Sequence, residues 1–276
     1  MKLRRPTLPG WKVEAQLRWL WVVANEQLTV CDILPGRGFA QASALLGADY
    51  QGKLVHDGWK IYYKFLKASH QSCNRHLIRR CEEMAEVASP TAAHFPLQVK
   101  AVLEQGLVLR DRYKNQEISL HGLWTATGRL EAKLDRLLAR NCRDAANRRL
   151  QKHLRHERPY IFTYLYCPGL EATNYRGEQA IRALIGARKN WGGNRTERGA
   201  RAQAVLTSIF QTAKQQGKSL FDVVVQLLCG RDKNKVLDLV PLARERPADS
   251  SSLPPPEIVM STMIAPQPGA GIPLPL

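Results

Sequence analysis

Residues 19–34 read WLWVVANEQLTVCDIL. Trp19 to Asn25 and Leu28 to Leu34 are short runs rich in aromatic and β-branched side chains, separated by the polar pair Glu26-Gln27. Such runs fit the pleated, half-buried surface of a strand, so the stretch predicts an antiparallel hairpin. Pro35-Gly36-Arg37-Gly38 then breaks the chain. Phe39 to Leu46 carries apolar residues at helical spacing and stops at Gly47, a residue suited to a helix C-terminus. Lys53-Leu54-Val55-His56-Asp57-Gly58 follows as a buried strand ending in an acid and a glycine. Open α/β sheets present functional side chains at that end of a strand.

Further along, the period changes. Between about Ser69 and Glu157 apolar residues recur three or four apart, among them Leu77, Met84, Val99, Leu103, Leu107, Leu130, Leu134, Leu137 and Leu138, which predicts a block of helices. Tyr160 to Tyr166 (YIFTYLY) reads as a strand, Pro168-Gly169 as a turn, and the helical pattern resumes near Asn174. A basic loop, Lys189 to Arg195, precedes a helix of about Thr196 to Gln216 whose core face is Val205, Leu206, Ile209, Phe210 and Ala213, with Gly217 at its end. Ser219 and Asp222 cap a last helix. Half of the 16 prolines lie from Pro247 onward, among Ser, Gly and Ala, so residues 245–276 are expected to be disordered. Strands, helices, then a strand and helices describe an α/β sheet domain interrupted by a helical insertion.

At 276 residues and 44% hydrophobic content the chain can bury a proper core. Its 41 Lys and Arg against 24 Asp and Glu give a net charge of +17, which favours a polyanionic partner, nucleic acid first. The positive residues gather in two places, Arg136 to Arg158 and Arg176 to Arg201. Six scattered cysteines without a Cys-x-x-Cys pair, and an N-terminus lacking the apolar core of a signal peptide, suit a reducing cytosol. No apolar run reaches the roughly 18 residues needed to cross a bilayer; even Phe221 to Cys229 is interrupted by Asp222 and Gln226.

Phosphoryl transfer on DNA is commonly done by two metal ions about 4 Å apart, held by carboxylates from elements distant in sequence. Asp57 has a suitable strand-end position, although a lone Asp there also serves as a turn residue. Glu178 stands one helical turn before Arg182, which alone reads equally well as an exposed ion pair. Arg182, Arg188, Lys189, Arg195 and Arg198 surround Trp191 and a glycine pair, an arrangement in which backbone approaches a phosphate while Trp191 stacks on an unpaired base, or in which a solvated loop packs Trp191 on the domain. His70, Cys73 and His76, three apart on an expected helix, lack the second ligand pair of a structural zinc site.

GWKVEAQLRWLWVVA (10–24), LPGRGFAQASALLGADYQGKLVHDGWKIY (34–62), HQSCNRHLIRRC (70–81) and EATNYRGEQAIRALIGARKNWGGNRTERGARAQAVL (171–206) together resemble the insertion-sequence-66 family of bacterial transposases over about Gly10 to Cys229. The resemblance implies an RNase H-like mixed sheet with flanking helices and a helical insertion between the second catalytic Asp and the Glu. It divides the chain into an unmatched leader (1–9), a first part of that domain (10–68), the insertion (69–157) and a last part (158–230). Asp57 matches the second catalytic aspartate and Glu178 the glutamate, both as ligands of Mg²⁺ or Mn²⁺. Cys73 and His76 match a Cys-x-x-His element of architectural character. The family carries Asp-Glu-Thr directly before its Gly-Trp; here Thr7-Leu8-Pro9 precede Gly10-Trp11, so the first catalytic aspartate is replaced by Thr7. The expectation is therefore a transposase-derived, N-terminally truncated protein of the bacterial cytoplasm and nucleoid. It would act on insertion-sequence ends and target DNA with impaired cleavage and strand transfer, alone, as a homo-oligomer or beside a full-length transposase. The alternative is a non-catalytic DNA-binding or subunit-trapping regulator.

Overall fold

Glu14 and Ala15 both take positive φ, 51° and 62°, the backbone of a tight two-residue hairpin turn. That turn folds β1 (Trp11–Val13) onto β2 (Gln16–Ala24), and β2 turns again through Asn25 to β3 (Thr29–Leu34). Asn25 Oδ1 accepts the amides of Gln27 and Leu28, which holds this second turn. Helix α1 (Phe39–Leu46) ends at Gly47, whose φ is 83°. The expected hairpin, short helix and following strand β4 (Lys53–His56) are all present. A computed structural model describes residues 10–229 and 257–262, and the chain divides into two units, Met1–Tyr50 with Tyr175–Leu276, and Gln51–Asn174.

The Gln51–Asn174 unit begins with β4, which pairs in parallel with β5 (Ser69–Ser72). Four helices follow: α2 (Asn74–Val87), α3 (Pro90–Lys114), α4 (Leu120–Ala139) and α5 (Ala145–Glu157). Ser89, Ser119 and Asp144 cap the last three by accepting an amide in the first turn. Their apolar stripes bury Leu77, Ile78, Val99, Leu103, Leu134 and Leu154. The helical stretch expected from Ser69 thus opens with a strand.

YIFTYLY is not a strand. Arg158–Tyr160 is a turn of 3₁₀-helix and α6 (Thr163–Tyr166) a single helical turn. Buried Gln71 accounts for the difference: its Nε2 donates to Ile161 O at 3.0 Å and its Oε1 accepts from Tyr164 N at 2.9 Å. A side chain thereby satisfies two backbone groups, Ile161 O and Tyr164 N, that a strand would have paired in a ladder.

The other unit resumes with α7 (Tyr175–Trp191), β6 (Gly193–Asn194), α8 (Glu197–Gln215), α9 (Leu220–Cys229) and β7 (Glu257–Thr262). Its pairings are mixed, with β6 parallel to β1 and β3 and β7 antiparallel to β2. Ala180, Ile181 and Leu184 of α7 pack on Trp11, Val13, Leu20 and Val22. Gly193 permits the β6–β1 approach, because a Cβ there would lie 2.2 Å from Lys12 O.

Helix α8 packs differently from expectation. Ala213 of the expected face is buried and Ile209 and Phe210 are half-buried, but Val205 and Leu206 are 50% and 42% exposed, and Ala200, Ala204, Thr207 and Thr212 are buried instead. The reason is a polar dock: Ser208 Oγ accepts Cys31 N at 2.8 Å and Thr212 Oγ1 accepts Thr29 N at 3.1 Å, so the helix supplies hydrogen bonds to the edge of β3. Within the stretch expected to be disordered, residues 257–262 form β7; the rest of 245–276 and the leader 1–9 lie outside the described residues.

Candidate functional site

Asp57 follows the last residue of β4 and is half-buried. Its Oδ1 accepts Trp59 N at 3.1 Å, a local turn that fixes the carboxylate at the strand end. Gly58 takes φ 84°, and its N–H donates to His56 Nδ1 at 3.1 Å. That bond assigns the proton of neutral His56 to Nε2, which faces His70 Nδ1 at 3.1 Å; His70 Nε2 in turn faces Phe65 O at 3.1 Å. Each imidazole donates once and accepts once. Burial, and secondarily His70, pushes His56 down to about 3. Burial also lowers His70, against the opposing pull of the Phe65 carbonyl.

Beside the same turn lies Glu157, the last residue of α5 and fully buried. Its Oε2 accepts Tyr63 OH and Ser72 OH, each at 2.5 Å. Oε1 has no hydrogen-bond partner among the described residues and lies 3.2 Å from where a Cβ on Gly58 would stand. Burial first, and then the Glu157 carboxylate, raises the Tyr63 phenol. Nothing in the local sequence marks Glu157; it closes a helix of basic residues and becomes visible only when α5 is placed.

His70, Cys73 and His76 do not share a helical face. His70 is in β5, Cys73 is the N-cap of α2, and only His76 is helical. Cys73 is 1% exposed, donates its amide to His56 O at 2.7 Å and accepts Asn174 N on Sγ at 3.4 Å, an architectural set of contacts. Burial, with Arg79 adding to it, takes His76 down to about 4.

Glu178 lies in the first turn of α7, in the other unit, and is half-buried. The basic residues expected around it separate. Arg182 lines a hollow of about 640 Å³ with Arg176, Gln211 and Lys214. Lys214 was not legible as a partner of Arg182, because 32 residues separate them and only the α7–α8 arrangement joins them. Arg198 borders a second hollow, of about 820 Å³, with Arg201, Asp32 and Glu197. Lys189 and Arg195 are exposed. Arg188 is 8% exposed rather than at the surface, its Nη1 lacks a hydrogen-bond partner among the described residues, and burial lowers its pKa. The side chain of Trp191 lies outside the described residues. The glycine pair beside it has a structural use, the approach of Gly193 to β1.

The chain is a mixed α/β protein with one acid just after a strand, another in the first turn of a helix and basic residues on that helix. The model of the transposase IS66 family matches residues 6–202, and the chain belongs to that family. The match starts inside the leader that was expected to match nothing, and it stops before α9. No curated protein and no solved structure matches the chain. Among the described residues no helix is long and apolar enough to cross a membrane.

Proposed function

We propose that this chain is a transposase-derived protein of RNase H-like fold that binds insertion-sequence DNA, and that its cleavage and strand transfer are impaired because Thr7 stands where the family has its first catalytic aspartate. The observation that carries the reading is the family match across Asp57 and Glu178, joined to the strand-end placement of Asp57.

The donor chemistry around Asp57 suits a hard cation. His56, next to Asp57 in sequence, has both ring nitrogens engaged, by Gly58 N and by His70, and the carboxylates of Asp57 and Glu178 offer oxygen, the ligand type of Mg²⁺ and Mn²⁺. Asp57 and Glu178 would hold the metal. Such an ion lowers the pKa of an attacking water or 3′-hydroxyl and stabilises the leaving oxygen. Asp57 would orient it from a turn fixed on both sides, and Arg182, Lys189, Arg195 and Arg198 would carry the phosphates, with Arg176 and Lys214 added by the fold. Arg188, buried, is left to the interior of its own unit. Losing one of three carboxylates would remove a metal ligand and with it several kcal/mol of transition-state stabilisation.

The neutral residue at position 7 also favours a second reading, in which the chain binds DNA or a full-length relative without cutting. One experiment separates the two: Mn²⁺-dependent nicking of labelled DNA carrying the ends of the resident insertion sequence, with binding measured in parallel from 50 to 200 mM salt. Weak nicking abolished by Asp57→Ala and by Glu178→Ala is expected under the first reading. Steeply salt-dependent binding with no nicking supports the second. Salt-independent or absent binding would sink both.

A further inference from the structure

Residues 21–24 of β2 are buried, with Trp21 and Val22 at 0% exposure, and they are paired along both edges. Strand β3 takes one edge, from Trp21↔Asp32 to Ala24↔Thr29. Strand β7 takes the other, from Trp21↔Thr262 to Ala24↔Val259.

The hairpin's own register says what else belongs there. In β1–β2 the pairs are Trp11↔Arg18, Lys12↔Leu17 and Val13↔Gln16, partner numbers always summing to 29. Continued past Arg18, that register sets positions 8, 7, 6 and 5 opposite Trp21, Val22, Val23 and Ala24. Since β3 holds one edge from Trp19 onward, a continued β1 has only the edge that β7 occupies. Both segments would run antiparallel to β2 and compete for the same backbone groups.

The two competitors differ in fitness for the place. Arg5-Pro6-Thr7-Leu8 sets Pro6 opposite Val23, and a proline cannot donate to a ladder and is confined to edges and bulges. Glu257–Thr262 reads EIVMST, with Ile258 and Val259 β-branched and every residue able to donate. In the sequence Pro254-Pro255-Pro256 precede it and Pro266 follows, residues that cannot donate to a ladder. A buried strand left with one edge unpaired would strand amides and carbonyls away from water.

We propose that the 21–24 edge of β2 is a strand-acceptor site and that residues 257–262 of the same chain are its occupant, in place of the leader. A segment beyond the family's matched region, which ends at 202, thereby becomes part of the sheet. Ser261 holds the register position opposite Val22 that the hairpin's continuation gives to Thr7. The proposal rests on strand pairing and does not depend on the transposase reading.

Cysteine pairs in the full chain test it. Ala24→Cys with Val259→Cys, opposite each other in the ladder, is expected to form an intrachain disulfide under mild oxidation, since cross-strand Cα separations of about 4.5–5.5 Å lie within disulfide reach. Ala24→Cys with Arg5→Cys is expected to remain reduced. Peptide mapping and non-reducing gels read both. Amide exchange gives an independent measure: Met260→Pro is expected to speed exchange across residues 20–24 at least tenfold, with helices α2–α5 unchanged. A 24–5 disulfide, a 24–259 disulfide found only between two chains, no disulfide in either pair, or unchanged exchange would each overturn the proposal.

Discussion

The turn that carries Asp57 is set by its two neighbours. His56 accepts the Gly58 amide, while Gly58 needs positive φ and has Glu157 Oε1 beside its Cα. Gly58→Ala therefore meets two costs: a left-handed backbone, roughly 1 kcal/mol or more for an L residue, and a Cβ 3.2 Å from a buried carboxylate oxygen. Gly47 has nearly the same φ, 83°, with no atom of the described residues within 4 Å of its would-be Cβ, so Gly47→Ala meets only the first. Urea unfolding should rank Gly58→Ala as the more destabilised by about 1–2 kcal/mol; equal losses would remove any part for Glu157 in shaping the turn. The thiols offer a second residue-level test. Burial pushes Cys31 and Cys81 up to about 12, so both stay protonated at pH 8, while Cys229 is exposed. A thiol reagent at pH 8 should modify Cys229 in the folded chain and Cys31 and Cys81 only after denaturant is added. Rapid modification of Cys31 in the native chain would contradict its burial beneath α8.

Elements were legible where their sequence period matched what they bury. Residues 19–34, Phe39 to Leu46 and Lys53 to His56 took the expected forms, because alternation and β-branching, or helical spacing, agree there with the surface covered. The reading failed where side chains replaced the usual partner. Gln71 satisfies the backbone of YIFTYLY, Ser208 and Thr212 dock α8 on β3, and three prolines before Glu257 disguise a strand. Of the proposed site, Asp57 and Glu178 were expected only through a resemblance to a family, whereas the positions of Glu157 beside the Asp57 turn and of Lys214 beside Arg182 depend on helix placement that no local pattern encodes. The α8 correction predicts an inversion of the usual rule for large apolar residues. Leu206→Ser should change stability by less than about 0.5 kcal/mol, while Leu184→Ala, 1% exposed in the α7 core, should cost about 2–4 kcal/mol. Thermal melts of the two variants decide it, and a large loss at Leu206 would restore the apolar-face reading.

For the whole molecule, charge and buried histidines act together as pH falls. His153 is pushed down to about 4 by burial first, then by Arg80 of α2 and His156 of its own helix. His70, packed against His56, Tyr63 and Tyr160, is lowered as well. A histidine whose folded pKa is depressed is neutral in the folded chain and protonated in the unfolded one between the two values. The unfolded state then binds more protons, so stability is fully present above about pH 6.5 and is lost as pH drops toward 4. His153 alone should contribute about 1–3 kcal/mol to that loss, read as a fall in melting temperature from pH 7 to pH 4.5. The chain's net charge of +17 adds self-repulsion over the same range, but repulsion between exposed charges is screened at 0.5 M salt whereas the cost of charging a buried imidazole is not. His153→Gln should therefore flatten the pH dependence at both low and high salt, because a neutral side chain has no proton to gain. If high salt alone abolishes the acid destabilisation, repulsion is the cause and the buried histidines are not.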